Sequence, residues 1–129
     1  MKLKGTLFTA LASFLLLGNY ANAQVLFNNG AQIAITDNAP VIVNGAVENA
    51  AGATGILKNK GDFHIEGDFK NTSGVADGFA SGLGNYRVKG DWINDATFTA
   101  DQSKVYLAGN NQLITGSSVT TFYDLIAQN

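Results

Sequence analysis

The chain has no cysteine in its 129 residues, which excludes a disulfide framework, a thiolate metal site and a cysteine nucleophile. It has one histidine, His64, so no second imidazole exists to complete a metal site or a relay. A single proline, Pro40, leaves the backbone free to pair almost everywhere. Charged residues make up only 14% of the chain, and no basic cluster is present that would neutralise a run of phosphates. Nucleic acid is therefore not an expected partner. No phosphate-cradling loop or dinucleotide motif occurs either.

What is present begins with an apolar run from Leu7 to Leu17, preceded by Lys2 and Lys4 and followed by Ala21-Asn22-Ala23. A basic start, a short apolar stretch and a small-x-small triplet are the parts of a cleavable secretory signal peptide. The run is well short of the roughly 20 residues that cross a bilayer. Residues 1–23 are therefore expected to be a leader, with the exported chain starting at Gln24 and holding no membrane span. That chain carries six basic and ten acidic residues, a formal charge of −4.

From Gln24 onward Gly, Asn, Val, Ile, Thr and aromatics dominate, a mix that favours short strands and tight turns. The organising feature is repetition. Val43-Asn44-Gly45-Ala46-Val47-Glu48-Asn49, Ile65-Glu66-Gly67-Asp68-Phe69-Lys70-Asn71 and Val88-Lys89-Gly90-Asp91-Trp92-Ile93-Asn94 align without a gap, their glycines 22 and 23 residues apart. Val41, Phe63 and Tyr86 share one further column. Val25 to Ile35, matched to Ile56 to Ile65, and Val105 to Gly109 read as diverged copies. A unit this short buries its apolar face only against the next copy, and the framework of a leucine-rich repeat is missing. The expected fold is all-β: a short right-handed parallel β-solenoid of about four to five coils over residues 24–129. Residues 41, 43 and 47 and their equivalents share parity and should face a common core. Outward, Glu48 should stand over Lys70 and Glu66 over Lys89. Asn49, Asn71 and Asn94 should stack at a turn, in the left-handed backbone that asparagine tolerates, with their amides bonded coil to coil. The alternative is an antiparallel β-sandwich with hairpin turns at Gly67-Asp68 and Gly90-Asp91.

The pattern Gly-Asp-aromatic-x-Asn, followed by Lys104-Val105-Tyr106-Leu107-Ala108-Gly109, Gln112-Leu113-Ile114-Thr115-Gly116 and Thr121-Phe122-Tyr123-Asp124-Leu125, resembles repeat regions of large secreted β-solenoid surface proteins, adhesin-like, of Bacteroidetes-type bacteria. The resemblance covers roughly the second half of the chain. It implies a secreted or cell-surface location, a structural or adhesive role, and cell-surface glycans or other surface proteins as partners. Proteins of that kind continue through more coils to a sorting domain, so the reading frame is expected to be truncated after Asn129. An open last coil, from Ser103 onward, would then invite self-association.

Little chemistry competes with that reading. Strand alternation turns His64 outward beside Arg87, where it reads as a solvated surface histidine. Ser73, Ser81 and Ser117 lie in turns without a positioned base. Asp68 and Asp91 share a column, an unfavourable pairing unless each carboxylate bonds its own turn or calcium bridges the coils; the turn is the expectation. No catalytic, cofactor-binding or metal-ligating residue is assigned, and no enzymatic activity is expected. Two other functions stay open: a carbohydrate-binding module using Tyr106, Phe122 or Tyr123, and a fragment of a β-helix polysaccharide-degrading enzyme.

Overall fold

Apolar and polar side chains alternate over runs of two to four residues, and Gly, Asn and Asp interrupt them. The computed structural model describes residues 25–50, 54–72, 75–78 and 84–128, with the backbone alone at 76–78. The leader and Ser73 and Ser81 lie outside the described residues. The strands are β1 (Leu26–Asn29), β2 (Gln32–Ile35), β3 (Pro40–Val43), β4 (Val47–Ala50), β5 (Ile56–Asn59), β6 (Asp62–Ile65) and β7 (Phe69–Asn71). They continue as β8 (Val75–Gly78), β9 (Asn85–Val88), β10 (Trp92–Asn94), β11 (Thr97–Thr99), β12 (Lys104–Leu107), β13 (Ile114–Thr115) and β14 (Asp124–Ala127).

Each strand pairs with the third one on, except that β12 pairs with β14, and every pair is parallel. Wall A runs β1-β4-β7-β10-β13, wall B runs β2-β5-β8-β11, and wall C runs β3-β6-β9-β12-β14. The described residues thus form a β-solenoid of four complete three-walled coils, with a fifth coil that supplies only β13 and β14. Parallel pairing throughout excludes the antiparallel sandwich.

The inner columns stand in the register that the repeat predicts. Val41, Phe63 and Tyr86 are neighbours on wall C, as are Val43, Ile65 and Val88, while Val47, Phe69 and Trp92 follow each other on wall A. The stretch from Val41 to Asn49, read as one strand, is two. The chain turns between β3 and β4, and the turn takes three residues, so inward parity survives the corner. Phe69 and Trp92 stack at 4.3 Å and 27°, and Phe98 from wall B meets the Trp92 ring edge-on at 5.0 Å. Phe122 reaches in from the fifth coil to 5.3 Å from Trp92. The last coil is therefore partly plugged by an aromatic ring, although it forms no strand on wall B.

Asparagine forms a second interior column. Asn28, Asn49, Asn71 and Asn94 are all buried, and each side-chain amide donates to the next carbonyl: Asn28 to Asn49 at 2.8 Å, Asn49 to Asn71 at 3.1 Å and Asn71 to Asn94 at 2.9 Å. The amide ladder is as the repeat implies, but its backbone is not left-handed. These residues end extended strands. Among the described non-glycine residues, positive φ occurs at Asn38, Asp101 and Asn111. Asn28 also corrects the alignment of the first copy, since it stands over Asn49 and not over Asn59. The ladder stops at the position after Thr115, where Gly116 has φ +125° and an added Cβ would lie 2.0 Å from the Asn94 carbonyl oxygen. No amide can follow Asn94 there, and its Nδ2 has no partner among the described residues.

Candidate functional site

Wall C presents the broadest outer face, because each of its five strands has four residues. Its central outward column is Ile42, His64, Arg87, Tyr106 and Ile126, in register. His64 and Arg87 are neighbours, as strand alternation predicts. The Arg87 guanidinium lies 4.8 Å over the Tyr106 ring and also donates to Gln128 Oε1. Beside this column Asn85 donates to Asp62 at 2.6 Å. These groups brace one another across coils, and each brace uses up a hydrogen-bonding atom or a ring face.

The corner between walls C and A carries the acidic column. Asp68 and Asp91 do stand one coil apart, but neither bonds its own turn. Asp68 Oδ1 accepts the Asp91 backbone N–H at 2.9 Å, and Asp91 Oδ1 accepts the Leu113 N–H at 2.9 Å. Each carboxylate thus bonds the backbone of the next coil, which brings a dipole between two like charges and offsets their repulsion. The approach is close enough to require glycine beside it: a Cβ on Gly90 would lie 2.5 Å from the Asp68 nitrogen.

A third carboxylate acts in the same way. Asp95 Oδ1 accepts the N–H of Ser117 at 2.7 Å and its hydroxyl at 2.9 Å. These donors hold the Asp95 carboxyl below its ordinary 3.8. Ser117 thus donates both its N–H and its hydroxyl to a carboxylate, a partner that the sequence reading did not give it. Of the two expected charge pairs, Glu66 and Lys89 meet at 2.5 Å. Lys70, although in register with Glu48, turns to Asp68 at 4.0 Å, while Glu48 accepts the Thr72 hydroxyl at 3.5 Å.

Among the described residues no three His, Cys, Asp or Glu side chains gather where they would hold a metal ion. Of the aromatics weighed for sugar binding, Phe122 is an interior residue, Tyr106 lies on the outer face under Arg87, and Tyr123 is 64% exposed. Sequence reasoning missed the cross-coil reach of Asp95, whose only signal was an acidic residue 22 positions before a serine-rich turn. No helix among the described residues is long and apolar enough to cross a membrane. No protein family, curated protein or solved structure matches the chain.

Proposed function

We propose that the chain is an exported, surface-located solenoid module with a structural or adhesive role and no catalytic one. The observation that carries this reading is the use to which the outer acidic groups are put. Asp68, Asp91 and Asp95 each accept a backbone N–H from the following coil, and Glu66 holds Lys89, so the carboxylates join coils. A polysaccharide lyase or glycosidase needs acids free to face a substrate, with a proton to give or take. Residues 1–23 supply the route of export. The test is export itself: the product should begin at Gln24 by amino-terminal sequencing and should be removed from intact cells by added protease. A product beginning at Met1, or one that protease reaches only after lysis, overturns the proposal.

Carbohydrate binding is the second reading, favoured by the exposed Tyr123 ring and by the braced Arg87–Tyr106 pair on wall C. Retention on polysaccharide beads that is lost in Tyr123→Ala would turn the module from structural to sugar-binding.

A further inference from the structure

Every exposed large apolar side chain among the described residues lies in the first coil or the last, including Phe27 and Ile42 at one end and Ile114 and Leu125 at the other. The described residues of the coils between expose none. Ile114 and Leu125 occupy the inward columns of Trp92 and Val105, so they are core residues of a stack whose next layer they face, 46% and 42% exposed. Among the described residues no further strand pairs with the outer edges of β13 and β14, or with those of β1 and β3 at the other end.

What fits such a face is set by the molecule's own interior, where each coil seats the next through walls A, B and C. The first coil is the surface on this chain built in that way. Placed after the last coil in the same register, it brings Leu26 over Ile114, Val41 over Leu125 and Ile42 over Ile126, apolar on apolar in each column. The one ionised residue among these contacts, Asp124, would stand beneath Pro40, so no like charges meet.

We propose that the last coil of one copy seats the first coil of a second copy, head to tail, through walls A and C. This assembly does not depend on export or on the surface reading. A head-to-tail contact leaves both outer ends free, so it propagates into open chains instead of closing on a dimer. The join lacks wall B, where the last coil has no strand, and on wall C it also lacks one donor. On wall C the first residue of β6, β9 and β12 donates to the coil below: Asp62 N–H to Ala39 at 3.0 Å, Asn85 to Gly61 at 2.9 Å and Lys104 to Gly84 at 3.2 Å. Pro40 holds that position in the first coil and has no N–H.

The test is sedimentation velocity over a range of concentrations on the purified chain, its first residue checked by intact mass. The wild type should grow in mass with concentration. Leu125→Lys, which spoils the last coil, and Val41→Lys, which spoils the first, should each weaken association at least tenfold, with circular dichroism confirming that both fold. Mixed together, the two variants retain one good end each and should form a 1:1 dimer that grows no further. Pro40→Val should tighten association several-fold by restoring the missing donor. A wild type that stays monomeric at every concentration overturns the proposal. So does association that survives either lysine variant, a mixture that remains monomeric, or a Pro40→Val protein that associates no more tightly, since a two-fold or lateral contact would behave in those ways.

Discussion

The inner and outer sides of one strand obey different rules. In β7, Phe69 and Asn71 point inward and touch their own kind one coil away, the ring on Trp92 and the amide on Asn49 and Asn94. Lys70, between them, faces water and leaves its column to reach Asp68. Inside, a side chain is held by the residues of its own column, because apolar groups of different sizes fill the space together and stacked amides satisfy each other without water. Outside, solvent relaxes both demands, and a polar group bonds whatever donor comes within reach. The two polar columns show the difference most clearly. The buried one is neutral and self-paired; the exposed one is charged and bonded to backbone. A buried column of carboxylates would carry a desolvation cost that no single backbone N–H repays.

Removing an inner aromatic should produce the largest effect. Trp92 is fully buried against Phe69, Phe98 and Phe122, and Trp92→Ala should cost about 3–5 kcal/mol in chemical denaturation. On the outer side, His64→Ala should stay within about 0.5 kcal/mol. If the two losses were equal, the distinction between faces would fail.

An intermediate effect should come from the amide ladder. Asn71 donates to Asn94 Oδ1 and to the Thr97 carbonyl at 2.8 Å, and it accepts from Asn49. Asn71→Ala leaves the buried Asn94 Oδ1 without its donor and removes one of the two acceptors of Asn49 Nδ2, so it should cost about 2–3 kcal/mol. A loss below that of His64→Ala in the same denaturation series would show that the ladder is not structural.

The smallest effect belongs to an exposed carboxylate. Asp95 is held below 3.8 by the Ser117 donors. A folded-state pKa lowered in this way adds stability above the unfolded value and loses it as pH falls through the folded one. The contact should therefore persist at neutral pH and loosen below pH 3.8. A carboxyl-carbon NMR titration should place the Asp95 midpoint below the ordinary value, with the Ser117 amide shift following it. Asp95→Ala should abolish that movement of Ser117, and a midpoint at or above 3.8 would refute the assignment.

How much of this was legible in the sequence depended on the corners. Three residues separate β3 from β4, β6 from β7 and β9 from β10, so the C-to-A corner repeats without a gap and its columns align by eye. The turns flanking wall B vary from two residues, as between β10 and β11, to four, as between β2 and β3. The alignment slips there. Leu57 and Phe98, both inward on wall B, therefore carried no readable signal, although both are core residues. Asn59 is buried too, yet it belongs to no amide column; its Oδ1 accepts the Gly61 N–H and its Nδ2 donates to the Asn85 carbonyl. The Asp68 and Asp91 column was visible, but not its bonds, because a sequence shows which residues stack and not which backbone group comes nearest. Lys70 illustrates the same limit: register placed it beside Glu48, and side-chain reach took it elsewhere.

The asparagine ladder has a direction as well as a register. All three of its amide-to-amide bonds donate from the earlier coil to the later one. Four side-chain dipoles are thereby aligned in series along the solenoid axis inside a medium of low polarisability, where each strengthens the next. Electrically, the interior behaves like a short helix dipole made of side chains, with its negative pole at Asn28 and its positive pole at the Nδ2 of Asn94. The two ends of the molecule therefore differ in potential even where their apolar residues look alike, and an electron-rich atom would be drawn toward the end that Gly116 covers.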